Sequence, residues 1–210
     1  MRTRIKICGI TRPEDARAAV EHGADAIGFI QWRKSPRFIE PAAAAAIARG
    51  LPPLVTPVAV FVNPSRQEVE AALAEMTAAT LQFHGDEEAK FCAGFARPWI
   101  KAAGAKPGRD LVKYFAAFKG AAAWLVDEFH EKLYGGTGSR FDWNLVPRNP
   151  GRPMILSGGL GVENVAEAIL AVRPYAVDVS SGVETAKGIK DAGKIAAFIS
   201  EVKRADQRSS

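Results

Sequence analysis

Arg4-Ile5-Lys6-Ile7-Cys8-Gly9-Ile10-Thr11-Arg12-Pro13-Glu14-Asp15 opens the pattern that decides the fold, and Gly23-Ala24-Asp25-Ala26-Ile27-Gly28-Phe29-Ile30 closes its first repeat. Ile5 and Ile7 alternate with Lys6 and Cys8, the period of a strand whose two faces meet different surroundings. Pro13 heads an acidic first turn, Glu14-Asp15. That favours a helix start, because the ring needs no N–H there and carboxylates suit the positive end of the helix. Gly23 stands where a helix C-terminal cap belongs. Strand, helix and strand in so short a stretch make a βαβ unit.

The same rhythm continues along the chain. Strands are expected at Arg4–Cys8, Ala24–Ile30, Pro57–Val62, Ala79–His84, Trp99–Ala103, Ala122–Asp127, Pro153–Ser157 and Tyr175–Ser180. Helices are expected at Glu14–His22, Pro41–Arg49, Arg66–Met76, Asp86–Phe95, Asp110–Phe118, Val162–Val172 and Asp191–Lys203, with a short one at Asp142–Val146. Asn63-Pro64-Ser65 and Gly85-Asp86-Glu87 read as further helix starts, and Gly50 as a second C-terminal cap. Parallel neighbours need crossover connections, so the rhythm implies a parallel sheet. Repetition without an added subdomain favours closure. The expected fold is α/β, a (β/α)8 TIM barrel over residues 1–204, with a flexible C-terminal tail over 205–210. An open Rossmann-like sheet is the alternative, but no G-x-G-x-x-G follows the first strand.

Bulk properties narrow the class of function. The chain has 210 residues, 48% of them hydrophobic and 24% charged, which suits one globular domain with a sizeable core. The formal charge of +5 comes partly from Lys203, Arg204 and Arg208 near the C-terminus, and only Arg33-Lys34 and Arg37 cluster elsewhere. No basic stripe with interleaved aromatics is present, so a nucleic-acid partner is not expected and an anionic small molecule is. No apolar run approaches a membrane span, and no apolar leader follows Met1. Cys8 and Cys92 are expected to be free thiols of a cytoplasmic protein, monomer or homodimer.

Barrel geometry sorts the strand residues into two faces. Ile5 and Ile7, Leu81 and Phe83, Trp124 and Val126, and Val177 and Val179 belong against the helices. Lys6 and Cys8, Gln82 and His84, Leu125 and Asp127, and Asp178 and Ser180 then face the lumen, with reactive side chains at the C-terminal mouth. Cys8 alone could be a small buried hydrophobe. At the end of the first strand, before Gly9, it is placed to act as a base once ionised. Asp127 could be a loop carboxylate, or a partly buried acid that keeps its proton long enough to donate it. Asp178 could pair with Lys6 or touch a substrate. Arg37 could be a surface-loop arginine, or a fork for a carboxylate. His84 could be structural or substrate-binding. Ser157-Gly158-Gly159-Leu160 and Ser180-Ser181-Gly182-Val183 end the last two strands, where barrels of this kind often hold a phosphate. Gly158, Gly159, Ser180, Ser181 and Gly182 are the candidate phosphate ligands.

These motifs resemble the phosphoribosylanthranilate isomerase family. Lys6-Ile7-Cys8-Gly9-Ile10-Thr11 is similar to its opening motif, and Gly23–Phe29, Ser35-Pro36-Arg37 and Val60-Phe61-Val62-Asn63 follow in the family's order. So do Leu81-Gln82-Phe83-His84-Gly85, Gly135-Gly136-Thr137-Gly138 with Phe141-Asp142-Trp143, Ser157–Leu160 and Val177-Asp178-Val179-Ser180-Ser181-Gly182-Val183-Glu184. The resemblance spans roughly residues 4 to 200. It implies Cys8 as general base, Asp127 as general acid, Arg37 for the anthranilate carboxylate, the glycine and serine loops for the phosphate, and Asp178 as a substrate contact. The chain departs from the family pattern at Gln31-Trp32-Arg33, which replaces a phenylalanine-tyrosine pair and a turn, and at Phe83, which replaces a leucine.

The resemblance further implies an Amadori rearrangement of a phosphorylated sugar-anthranilate substrate in tryptophan biosynthesis, with no metal and no organic cofactor. Three alternatives stand beside it. A sister isomerase of histidine biosynthesis has an aspartate at the Cys8 position. Indole-glycerol-phosphate synthase needs a lysine–glutamate set that this sequence does not place. A non-catalytic phosphate-binding barrel would leave Cys8 and Asp127 without purpose.

Overall fold

The computed structural model describes residues 2–76, 79–106, 108–128, 142–148 and 150–209. Eight parallel strands close on themselves in sequence order, β1 (Arg4–Cys8), β2 (Ala26–Ile30), β3 (Thr56–Phe61), β4 (Thr80–Phe83), β5 (Trp99–Ala105), β6 (Ala123–Glu128), β7 (Met154–Leu156) and β8 (Ala176–Val179). Lys6 stands opposite Asp178 where β8 returns to β1, which completes the barrel. Around it lie α1 (Pro13–His22), α2 (Pro41–Arg49), α3 (Arg66–Glu75), α4 (Ala89–Cys92), α5 (Leu111–Ala116), α6 (Val165–Val172) and α7 (Ala192–Ser209). The expected (β/α)8 barrel is the fold observed.

Strand alternation decides what fills each layer. Ile5, Ile7, Leu81, Phe83, Trp124, Val126, Val177 and Val179 are buried in the layer between strands and helices. Phe83 stacks on Phe61 at 6.1 Å and on Phe95 at 6.0 Å and meets Phe91 edge-on at 5.8 Å. Burying such a ring contributes about 1.5–3 kcal/mol, so its exchange for the family's leucine adjusts the helix-facing layer and leaves the lumen alone. Inside the barrel, Ile100, Ala102, Leu125, Ile155 and Ala176 form a separate apolar plug. It closes the lumen from below and leaves the polar side chains of the upper layer at the mouth.

Several boundaries differ from the sequence expectation, each for a local reason. Ser65 caps α3 through a capping box with Glu68, as Asn63-Pro64-Ser65 suggested. The Asp86–Phe95 helix shrinks to α4 and a 3-10 turn, Ala93–Phe95, because Glu87 turns inward: its carboxylate accepts from Asn63 N, Gly85 N and Lys101 Nζ. The Asp142–Val146 segment is likewise a 3-10 turn, Trp143–Leu145. Gly23 caps α1 in the left-handed region, whereas Gly50 ends α2 in the right-handed one. A hairpin of β9 (Glu184–Ala186) and β10 (Ile189–Lys190) follows β8, where the sequence reading had only loop. At the C-terminus α7 runs through residues 205–209 instead of yielding to a tail there. Ala205 is buried, and Asp206 accepts from Thr3 N and Thr3 Oγ1 at 2.8 and 2.7 Å. The Gly135–Gly138 and Phe141 motif lies outside the described residues.

Candidate active site

A cavity of about 200 Å³ opens at the C-terminal end of the barrel. Cys8 and Asp127 line it from β1 and β6, with Arg37, His84, Asp178 and Ser180. Trp32, Ile30, Val60 and Val62 give it an apolar flank. A larger groove of about 1050 Å³ crosses the opposite end, lined by Arg148, Arg152 and Arg173 among others, away from the mouth where barrel chemistry is built.

Cys8 is 6% exposed and stands in register beside Gly28 of the neighbouring strand β2. A Cβ at Gly28 would come within 2.8 Å of Cys8 Sγ and 3.2 Å of Lys6 Cε, so only glycine leaves room for the thiol. Burial pushes the thiol up from its ordinary value, while the neighbouring Lys6 ammonium pulls it down. Lys6 is itself buried, 2.8 Å from Asp178 Oδ1. Burial alone would lower its pKa; the Asp178 carboxylate more than reverses this and keeps it a cation. Asp178 is thus partner to Lys6, as one of its sequence-derived readings had it, and is also part of the cavity wall.

Arg37 is buried and forked onto Glu184, with Nε to Oε1 and Nη2 to Oε2 both at 2.8 Å. That bond raises its pKa. Lys190 adds a third member: its Nζ donates to Glu184 Oε1 at 2.8 Å and to Ser180 O at 3.1 Å. Burial lowers Lys190, and the two cations hold the Glu184 carboxyl below its ordinary range in spite of its own burial. The hairpin therefore anchors the arginine from behind. One edge of the Arg37 fork is committed to Glu184, so any substrate carboxylate must use the remaining N–H groups.

On the other side, Asp127 is 4% exposed and held at both oxygens. Oδ1 accepts from Glu128 N at 2.8 Å, and Oδ2 lies 2.9 Å from His84 Nε2. His84 Nδ1 is in turn 2.9 Å from Gln82 Nε2. Behind His84, Lys101 Nζ donates to Gly85 O at 2.6 Å and to Glu87 Oε2 at 2.7 Å, which fixes the chain just past the imidazole.

The glycine loops meet above the cavity. Gly161 and Gly182 form a bridge between the β7 and β8 ends, and Asn164 ties the first loop by accepting from Gly161 N and donating to Gly159 O. Gly158, Gly159, Ser180, Ser181 and Gly182 are all half-buried there, though only Ser180 of the five borders the cavity itself.

A family model described as N-(5'-phosphoribosyl)anthranilate (PRA) isomerase matches residues 5–201. The chain belongs to this family. It is 51% identical to an N-(5'-phosphoribosyl)anthranilate isomerase of Dechloromonas aromatica over 99% of both chains. Against the isomerase of Pseudomonas putida it is 54% identical, over 96% of this chain and 98% of that one. The crystal structure of phosphoribosyl anthranilate isomerase from Thermotoga maritima is similar at TM-score 0.88 and 40% identity, covering 96% and 99% of the two chains. A structure of a phosphoribosyl anthranilate isomerase in complex with reduced 1-(o-carboxyphenylamino)-1-deoxyribulose 5-phosphate is similar at TM-score 0.85, with the same identity and coverage.

Within this isomerase fold, the lumen residues read from the sequence come together. Sequence reasoning missed Glu184 and Lys190 as ionic partners, Gln82 as the partner of His84, and the Lys101–Glu87 pair. Glu184 stood in the quoted motif with no role. An acidic residue just past a phosphate-type loop, with a lone arginine elsewhere at the mouth, was the available signal.

Proposed function

We propose that Cys8 is the general base and Asp127 the general acid of an Amadori rearrangement carried out at the barrel mouth. The protein is an aldose–ketose isomerase of tryptophan biosynthesis that converts N-(5'-phosphoribosyl)anthranilate to 1-(2-carboxyphenylamino)-1-deoxyribulose 5-phosphate. The observation that carries the assignment is the shared cavity: a thiol and a carboxyl on β1 and β6 border one space with an arginine and the last two loops.

In this reading Asp127 protonates the furanose ring oxygen. The anilino nitrogen lone pair expels that oxygen from C1', giving an open-chain iminium ion. Cys8, as thiolate, removes the C2' proton, which the iminium acidifies, and the electrons form the enolamine. Proton transfer to C1' and loss of the C2' hydroxyl proton give the ketone. Fixing the substrate's phosphate end at Gly158, Gly159, Ser180, Ser181 and Gly182 would hold C1' and C2' between acid and base, where positioning lowers the barrier. Arg37 receives the anthranilate carboxylate and Asp178 the sugar hydroxyls. Two free, buried thiols suit the reducing cytoplasm.

Cys8→Ala and Asp127→Asn, assayed with N-(5'-phosphoribosyl)anthranilate, should each lose about 10²–10⁴-fold in kcat, the usual worth of a positioned acid or base. Wild-type-like turnover in folded Asp127→Asn would remove Asp127 from the acid role. The same result in Cys8→Ala would move the base to Asp178.

A further inference from the structure

Gln82 is 1% exposed, and among the described residues its Oε1 is buried with no hydrogen-bond partner. Its Nε2 faces His84 Nδ1 at 2.9 Å, and His84 Nε2 faces Asp127 Oδ2 at 2.9 Å. An amide nitrogen only donates, so in this arrangement Nδ1 accepts and carries no proton. Neutral imidazole then has its proton on Nε2, donated to an Asp127 carboxylate. This is the state in which the carboxyl has no proton to give.

We propose that Gln82 and His84 are positioning residues that follow the loading of the acid. A half-turn of the Gln82 amide puts Oε1 where Nε2 stood, and an oxygen there calls for a proton on Nδ1. The His84–Asp127 pair then holds one proton more: Nδ1–H donates to Oε1, and a second proton is shared between Nε2 and Oδ2. In the observed orientation Oε1 has no hydrogen bond to lose, so a turn of the amide is governed by the proton on Nδ1. An unpaired, buried amide oxygen calls for an explanation, and a turn that pairs it with Nδ1–H supplies one.

The protons balance over a turnover. Asp127 gives the shared proton to the ring oxygen as C1'–O breaks. Cys8 takes the C2' proton and returns one to C1'. The hydroxyl proton lost on forming the ketone goes back to Asp127, which restores the loaded pair. The inference rests on Asp127 being the general acid. Among the described residues, the titratable and charged groups that line the cavity with the pair are Cys8 on β1, Lys34 and Arg37 beyond β2, Asp178 on β8 and Lys187 in the hairpin. Lys6 is paired to Asp178 and Lys101 to Glu87, and Glu128, next along β6, has its own interactions.

The test is nitrogen NMR of histidine-labelled protein, with His84→Gln assigning the His84 signals among the three histidines by difference. At the high-pH end of the titration, wild type should show the Nε2–H form, with Nδ1 gaining its proton as the Gln82 amide signals shift in step. In Gln82→Glu a carboxylate accepts from Nδ1–H permanently. The midpoint should rise by about one pH unit or more, and the limb of the kcat/KM profile that belongs to the pair should move with it. Gln82→Met, which keeps the volume and has no acceptor, should lower kcat without raising the midpoint. Equal losses of kcat/KM in both variants, with an unmoved His84 titration and an unmoved pH profile, would overturn the proposal and make Gln82 a packing residue. Failure of the acid assignment is separate: a fully active Asp127→Asn shows it, whatever the titration does.

Discussion

Gly158 tests how closely the proposed phosphate loop and the proposed acid, Asp127, are tied. Its φ is +82°, and a Cβ built there would lie 2.4 Å from Glu128 N and 3.0 Å from Asp127 Oδ1. Those two atoms are joined by the bond that holds Asp127, at 2.8 Å. An ordinary contact needs about 3.4 Å, so Gly158→Ala must part the β7 loop from the end of β6 by about 1 Å. The nearest atom, Glu128 N, is backbone, so no side-chain rotation can relieve that contact. A misplacement of about 1 Å at a catalytic group costs on the order of 10²-fold, or about 2.7 kcal/mol of barrier.

Gly108 separates this effect from backbone strain. Its φ is +81°, nearly that of Gly158, but a Cβ there would meet nothing within 4 Å. Gly108→Ala should therefore show strain alone, about 1 kcal/mol of lost stability by urea unfolding, with kcat unchanged. Gly158→Ala should add a fall in kcat of about 100-fold to a loss of about 2–4 kcal/mol, the strain plus the displaced contacts. Steady-state kinetics on protein shown to be folded by circular dichroism decides the matter. A kcat within threefold of wild type in folded Gly158→Ala would refute the reasoning, since the loop could then yield without moving Asp127.

Three further outcomes follow from the buried charges. Lys101 is fully buried, so Lys101→Met strands the Glu87 carboxylate and should cost about 3–5 kcal/mol in urea unfolding; adding Glu87→Gln should recover part of it, and a single-variant loss below about 1 kcal/mol would contradict the buried-pair account. Lys6 pulls the Cys8 thiol down against its burial, so Lys6→Met should move the pH midpoint of Cys8 alkylation upward; Cys92, buried and pushed up to about 12, stays silent, and an unchanged midpoint would deny Lys6 its role. Glu184 is held below its ordinary range, so its contribution to stability is full above about pH 4.3, the unfolded value, and is lost as pH falls through the lower folded value. Glu184→Gln should therefore lose less stability than wild type over that acid window, and parallel curves of unfolding midpoint against pH would count against the linkage.

Local signals carried the barrel and the lumen because strand alternation is a property of neighbouring residues. Lys6 with Cys8, Gln82 with His84 and Asp178 with Ser180 announce one face without any knowledge of the partner strand. The partners across the fold are another matter. Arg37 and Glu184 are 147 positions apart and Glu87 and Lys101 are 14 apart, with no periodic pattern to join them. The hairpin that carries Glu184 and Lys190 is three residues against two, too short for alternation to register. Helix ends slipped where side chains defected from helical positions, as Glu87 does. The tail expected from residue 205 is helix because Thr3 takes up Asp206 from the far end of the sequence, which no local composition reveals.

The charge pattern supports the proposed role of the Cys8 thiol as base. Around Cys8 stand three cations, Lys6, Arg37 and Lys190, and two carboxylates, Asp178 and Glu184, all buried. When the five are ionised the cations lead by one. That surplus is what a thiolate, a substrate carboxylate or a phosphate can use, and it is worth about 4 kcal/mol per contact at 4 Å for an effective dielectric of 20. A third carboxylate in the Cys8 position would consume the surplus before any substrate arrived, because a buried charge must be paired. A neutral thiol does not. It costs little to bury at rest, and in the proposed reaction it ionises against Lys6 when the iminium ion needs a base. The price is a thiol whose pKa burial has raised, and the iminium offsets it by making the C2' proton easy to remove.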